Sequence, residues 1–260
     1  MFKRYFLFIV SLLVLHATSD SYDSFILFLF SCVSLVLLLF YIYLLYLIMT
    51  CKYHLQPVVD YQDNKVVYFE VLSRFSAKNP PLQVIDLFRR NGVLYLHTLL
   101  QIKRLQMMNT SLDIGINLCP SLLSGCLSSL LLNYLSGKNS IKYIEITEDS
   151  SIEYSSKIIE NILGLKNRGK IIVIDDFGIG NNNIFLVDKV LPEIVKVDKS
   201  ISQILDSSNE RQGITSTISN LCSLFDCTLV IEGIESLEQL EKYEDMDNVY
   251  FQGFYFNSRF

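Results

Sequence analysis

Seven largely apolar runs in this chain each stop on a side chain suited to holding a cation or a phosphate. Val66–Phe69 leads into Glu70, Leu112–Ile116 into Asn117, and Ile141–Ile144 into Glu145. Ile171–Ile174 leads into Asp175 and Asp176, Ile194–Val195 into Lys196, Leu229–Ile231 into Glu232, and Val249–Phe251 into Gln252. A charge at the end of a buried strand needs a partner, so such a series points to convergence on one place. Carboxylates with an Asn form an all-oxygen set. That set suits a hard divalent cation such as Mg²⁺ or Mn²⁺, whereas zinc would recruit His or Cys. Taken alone, the stretch Lys170–Gly180 (KIIVIDDFGIG) reads equally as a turn or as a cation site. Adjacent carboxylates repel unless something positive lies between them. Beside the other strand ends, the pair can serve two cations. Paired cations activate water and stabilise the attacking and leaving oxygens of phosphoryl chemistry. Lys196 adds a positive group for a phosphate or for the nucleophile.

These residues need strands to carry them. Strands are expected at Leu55–Asp60, Val66–Val71, Leu112–Asn117, Ile141–Thr147, Lys170–Asp175, Ile194–Val197, Thr228–Glu232 and Val249–Gln252. Helical stretches alternate with them at Leu82–Asn91, Leu94–Asn109, from Ser150 toward Gly169, at Asn209–Phe225 and from Ser236. Ser150 with Glu153, and Ser236 with Gln239, fit capping boxes. Alternating strand and helix implies parallel pairing with right-handed crossovers. About eight strands in some 200 residues suggest an α/β fold closed as a TIM-like (β/α) barrel, with an open doubly wound sheet as the alternative. Active sites of such barrels lie at the C-terminal strand ends.

Half of the 260 residues are hydrophobic, and the excess sits at the N-terminus. From Tyr5 to Cys51 the only formal charges are Asp20 and Asp23. Two transmembrane spans are expected, about 5–19 and 25–49, making 1–51 a membrane anchor and 52–260 the barrel domain. Lys3, Arg4 and Lys52 flank this hairpin and put residues 52 onward on the positive, cytoplasmic side. A cleaved signal before a single span is the alternative. Tyr41, Tyr43 and Tyr46 stand where an aromatic belt is expected. The barrel domain keeps the net charge of −5. That acidity excludes broad binding of a nucleic-acid polymer. The six cysteines include no CxxC pair and read as free thiols, with Cys119 a small core residue.

The same residues resemble the EAL domain, the cyclic di-GMP-specific phosphodiesterase family. QPVVD at 56–60, EVLSR at 70–74, NLCP at 117–120, EITE at 145–148, DDFGIG at 175–180, KVD at 196–198, EGIE at 232–235 and QG at 252–253 follow in the family's order. The resemblance covers Gln56 to about Phe256. It implies a barrel of the EAL type that binds two Mg²⁺ or Mn²⁺ ions and opens cyclic di-GMP to linear pGpG. Metal ligands would be Glu70, Asn117, Glu145, Asp175 and Asp176. Lys196, Glu232 and Gln252 would be catalytic, completing the shell around the attacking water. Arg74, Gln56 and Asp198 would bind substrate, and Glu148 would anchor the loop after Asp176. It also implies a homodimer through the barrel and, with the spans, a place in the bacterial inner membrane.

The chain departs from the family at several points. Ile179, Asn181 and Asn182 replace the Thr and the Tyr-Ser of a loop that couples metal binding to dimerisation in the family. Tyr68 stands where Gly is frequent, and FRRNG at 88–92 replaces an acidic segment. The altered loop motivates an alternative reading: a weak or inactive EAL domain acting as a cyclic di-GMP receptor or protein-interaction regulator. A more distant one is another Mg²⁺-dependent barrel acting on a phosphorylated metabolite.

Overall fold

A computed structural model describes residues 22–76, 78–108, 110–137, 140–147, 149, 153–178, 184–198, 219–220, 222–243, 246–257 and 259. The expected first span, the loop at 179–182, Glu148, Ser150 and most of the helix expected at 209–225 lie outside them. Two compact units result: residues 1–51 with 75–88, and residues 52–74 with 89–260.

The first unit holds helix α1 (Tyr22–Thr50). Its 29 residues extend about 43 Å at ~1.5 Å per residue, more than the ~30 Å hydrocarbon core of a bilayer. The helix is apolar all round, and Phe30, Val33, Leu37, Leu38, Tyr41, Tyr46 and Met49 expose their side chains. Among the described residues it is the one helix long and apolar enough to cross a membrane. Most of α2 (Pro81–Arg90) belongs to this unit.

The second unit is a closed eight-stranded barrel in chain order. Its strands are β1 (Lys52–Asp60), β2 (Lys65–Arg74), β3 (Ile114–Leu118), β4 (Ile141–Ile146), β5 (Ile171–Phe177), β6 (Ile194–Val197), β7 (Thr228–Ile231) and β8 (Val249–Gln252). Helices α3 (Leu94–Met107), α4 (Ser121–Ser124), α5 (Ser128–Leu135), α6 (Ser156–Lys166), α7 (Ile184–Val190) and α8 (Leu237–Glu241) connect them. Strands β2 to β8 pair in parallel as expected. The first strand does not. β1 runs antiparallel to both β2 and β8, because only four residues, Tyr61–Asn64, join it to β2. A link that short makes a hairpin, whereas a parallel neighbour needs a crossover of a dozen residues. Asn64 turns the chain with φ +49°.

Each strand has two buried faces. Val71, Ile116, Ile144, Ile146, Ile172, Ile174, Val195 and Leu229 pack outward against the helices. Val58, Tyr68, Tyr143, Val173, Ile194 and Val230 form a separate cluster inside the barrel. Burial on both faces is why these strands read as continuous apolar runs. The helix expected from Ser150 begins at Ser156. The one expected from Ser236 has its cap: Ser236 Oγ accepts from the Gln239 amide, and Gln239 Oε1 accepts from the Glu235 amide at 2.7 Å.

Inside the barrel, Tyr68 and Tyr143 stack with centroids 4.0 Å apart and planes 12° from parallel. Gly115 on the intervening β3 leaves room for them. A Cβ there would lie 2.6 Å from the Tyr68 ring and 2.9 Å from Glu145 Oε1. Gly115→Ala is therefore expected to destabilise the chain by about 1–3 kcal/mol, the usual cost of overpacking. In a Tyr68→Ala background the same change should cost clearly less. Urea unfolding of the single and double variants checks this, and equal penalties in both backgrounds would disprove the contact.

Candidate active site

Side chains alternate across a strand, so a residue two positions beyond the inner cluster also points inward, one layer nearer the C-terminal mouth. Glu70 follows Tyr68, Asn117 follows Gly115, Glu145 follows Tyr143, and Asp175 follows Val173. Lys196 follows Ile194, Glu232 follows Val230, and Gln252 follows Tyr250. One apolar layer thus supports one polar layer.

Asp176 breaks this alternation. In a regular strand it would face the helices. Instead β5 carries one extra residue against β6, since Ile174 pairs with Val195 but Phe177 pairs with Val197. Asp176 sits at this bulge with φ +51°. Asp is among the residues that tolerate the left-handed region, and bulges re-aim side chains beside active sites. Oxygens of Asp175, Asp176 and Glu232 consequently fall within 4.8 Å of one another.

Lys196 is the centre. Its side chain is 1% exposed, and its Nζ lies 2.6 Å from Glu232 Oε1, 2.8 Å from Glu145 Oε2, 3.1 Å from Asp175 Oδ1 and 3.3 Å from Glu70 Oε2. Burial disfavours the ammonium, but Asp175, Glu145, Glu232 and Glu70 more than reverse this and hold its pKa above the ordinary lysine value. Glu70 also accepts from Asn117 Nδ2 at 2.6 Å and Gln252 Nε2 at 2.7 Å. Burial would raise the Glu70 carboxyl, yet Lys196 and these amides bring it below its usual value. Burial, then repulsion from Glu70, pushes Glu145 up. Burial pushes Glu232 up to about 8, against the pull of Lys196 and with repulsion from Asp175 and Glu70.

The set fits divalent cations. One ammonium faces four carboxylates, with Asp176 a fifth close by. Oxygens of Glu70, Glu145 and Asp175 also lie within 4.8 Å of one another, so two carboxylate triads share Asp175. Three buried acceptors, Asn117 Oδ1, Glu145 Oε1 and Gln252 Oε1, meet no hydrogen-bond donor among the described residues. Donorless oxygens beside excess negative charge are what a hard cation satisfies.

Of the site residues expected from sequence, the structure brings together Glu70, Asn117, Glu145, Asp175, Asp176, Lys196, Glu232 and Gln252. Gln56 is half-buried and directly opposite Glu70 in the β1–β2 register, on the inward face. Asp198 lies two residues beyond Lys196. Arg74 is exposed at the end of β2, where its guanidinium bonds the Ser73 carbonyl at 3.2 Å and no carboxylate of the cluster. Glu148 is outside the described residues. Gly253 joins the last two strand ends: a Cβ there would meet the Ile234 carbonyl oxygen at 2.0 Å, so only Gly lets the loop after Glu232 close on Gln252.

Sequence reasoning missed a buried clasp beneath the loops. Asp149 accepts from Arg89 Nη1 at 2.8 Å and from Cys119 Sγ at 3.0 Å, tying the segments after β3 and β4 to the residue that opens RRNG. The partners are far apart in sequence and no spacing signals them. Burial pushes the Cys119 thiol up to about 11, consistent with an inert core cysteine. His97 is buried, with its Nε2 3.3 Å from Ser73 Oγ.

Fold and site together define a class: a closed α/β barrel with an acid-lined mouth gathered around a buried lysine. The family profile described as the EAL domain matches residues 49–259, and the chain belongs to that family. The cyclic di-GMP phosphodiesterase TpdA of Vibrio parahaemolyticus is 32% identical over 209 residues, which make up 79% of this chain and 36% of TpdA. The chain thus spans about a third of that relative. An EAL domain protein of Listeria monocytogenes has a crystal structure that matches with a TM-score of 0.67 at 27% identity, over 81% of this chain and 89% of that one. Klebsiella pneumoniae BlrP1, solved with manganese and cyclic di-GMP, shares the fold with a TM-score of 0.66 at 24% identity, over 79% of this chain and 55% of that one.

The pKa of Glu232 carries a consequence for stability in the absence of divalent cations. An unfolded chain loses this proton near the ordinary value of 4.5, whereas the folded chain keeps it until about 8. Between those values the folded state binds more protons, so stability falls as pH rises. His97 acts oppositely, since burial pushes it down to about 4, but its effect is largely complete above its ordinary 6.5. In EDTA the thermal midpoint is therefore expected to fall from about pH 6.5 to about pH 8. A midpoint that climbs over that interval would contradict the assignment.

Proposed function

We propose that this chain is a membrane-anchored, metal-dependent phosphodiesterase that hydrolyses cyclic di-GMP to linear pGpG. The observation that carries the reading is the pair of carboxylate triads sharing Asp175 around Lys196. The activities named for TpdA and the nucleotide bound by BlrP1 support the substrate. Glu70, Asn117, Glu145, Asp175 and Asp176 would hold two Mg²⁺ or Mn²⁺ ions. When bound, such cations supply Lewis-acid activation of water and of the phosphodiester.

The chain's own residues do the rest. Glu232 and Gln252 orient the attacking water, and Lys196 presents its ammonium to it. Water adds to phosphorus and one P–O3′ bond breaks, leaving a 5′-phosphate and a free 3′-hydroxyl. Arg74 offers a planar guanidinium to the second phosphate, a geometry suited to paired hydrogen bonds. Gln56 and Asp198 would line the substrate's approach. Helix α1 would hold the barrel at the bacterial inner membrane, on its cytoplasmic side, where two copies would pair through their barrels.

The full-length chain in neutral detergent, given Mn²⁺ and cyclic di-GMP, is expected to release pGpG on chromatography. Lys196→Ala should retain Mn²⁺ in calorimetry yet turn over on the order of 10²–10⁴-fold more slowly, as for loss of a group acting on the proton-transfer step. Asp175→Ala should lose Mn²⁺ binding and product together. Saturable nucleotide binding with no pGpG would overturn the hydrolase and leave a receptor. In cells, the full chain should stay with membranes after an alkaline carbonate wash; release into the wash would refute the anchor.

A further inference from the structure

Strands β3, β4 and β5 carry Asn117, Glu145 and Asp175 toward the mouth. At the opposite end of the barrel, the turns entering these strands enclose a cleft of about 460 Å³. Its charge is the reverse of the mouth's. Among the described residues, Lys142, Arg168 and Lys170 line it against a single acid, Asp113, in a chain with 22 basic and 27 acidic residues.

These cations are graded in depth. Lys170 is 6% exposed and forms the base. Its Nζ donates to the Ile141 carbonyl at 2.7 Å and the Gly137 carbonyl at 3.3 Å, which fixes the ammonium under the turn that opens β4. Lys142 stands at the rim with half its side chain exposed, 2.6 Å from Asp113. Arg168 is exposed and spans toward the same turn, its Nη1 donating to Ser136 Oγ at 2.9 Å. Ser111 and Ser140 add hydroxyls. The C-terminal carbonyls of α6 favour a nearby cation, but an exposed Arg168 satisfies that attraction.

We propose that this cleft is a binding site for a small phosphate-type oxyanion, on the face of the barrel remote from the catalytic mouth. Arg168 would grip the anion with its planar fork, Lys170 would supply charge from below, and Lys142 would close the rim. The site does not depend on the hydrolase reading, because none of its residues belongs to the mouth.

Inorganic pyrophosphate is the probe. It is titrated by calorimetry into the full-length chain in neutral detergent with excess EDTA, so that the carboxylates of the mouth repel anions. Saturable binding near one per chain is expected, weakening as NaCl rises. Arg168→Gln and Lys142→Gln should each lower affinity by about tenfold, as for loss of a charged hydrogen bond. Arg74→Gln, at the mouth, should leave it unchanged. A second arm dopes the micelles with phosphatidylglycerol: undiminished pyrophosphate binding supports a free anion. Displacement by the lipid that requires Arg168 would assign the cleft to a headgroup and overturn the free-anion site. No binding, or binding that both cleft variants leave intact, overturns it outright.

Discussion

Four carboxylates from four strands meet one ammonium, and the mouth of this barrel is organised by that imbalance. Like charges this close cannot all ionise in a dry interior without a cation between them. Lys196 supplies the cation that the chain itself carries. Removing one partner from a buried ion pair typically costs about 3–5 kcal/mol, because the charge left behind stays buried. Glu70, Glu145, Asp175 and Glu232 are therefore held to their places by the same side chain that they hold. The negative charge beyond what Lys196 offsets is what makes the site attractive to divalent cations.

Placement of these groups follows from the pleat. The stacked Tyr68 and Tyr143 rings, with Val173, Ile194 and Val230, form a dry layer beneath the charges. Excluding water from below strengthens every electrostatic interaction above it. The polar layer is then one step along each strand, with no special loop needed. Asp176 is the exception. An extra residue in β5 and a left-handed backbone turn a residue that would face the helices into one that faces the mouth. Gly253 and the Asp149 clasp act at the next level, holding the strand ends and their loops against one another.

The two ends of the barrel carry opposite charge. Strands β3 to β5 rise from turns lined by Lys142, Arg168 and Lys170 and end at Asn117, Glu145 and Asp175. Net acidity of the chain therefore describes its mouth and hides a local reversal at the other face. Overall charge averages over the whole molecule, while a small anion senses only the local field.

The sequence by itself determined a great deal here. Burial on both faces of each strand wrote uninterrupted apolar runs, and each run stopped where the inner face turned polar. That made the strands and the eight converging residues legible from spacing and order, and the motifs' resemblance made the EAL family legible. Tertiary structure decided the rest, because it depends on distances that no local pattern encodes. The antiparallel β1 came from a four-residue link that closes as a hairpin, although the alternation of strand and helix had suggested parallel pairing throughout. Lys196 reads in sequence as a substrate or water ligand, and only the closed barrel shows it at the centre of four carboxylates. The bulge that re-aims Asp176 is invisible in DDFG, since one extra residue exists only relative to the partner strand. The fit of Tyr68 against Gly115 and the cationic cleft likewise join segments far apart in the chain. Closure of the barrel sets these contacts, for it alone brings both ends of every strand into common layers.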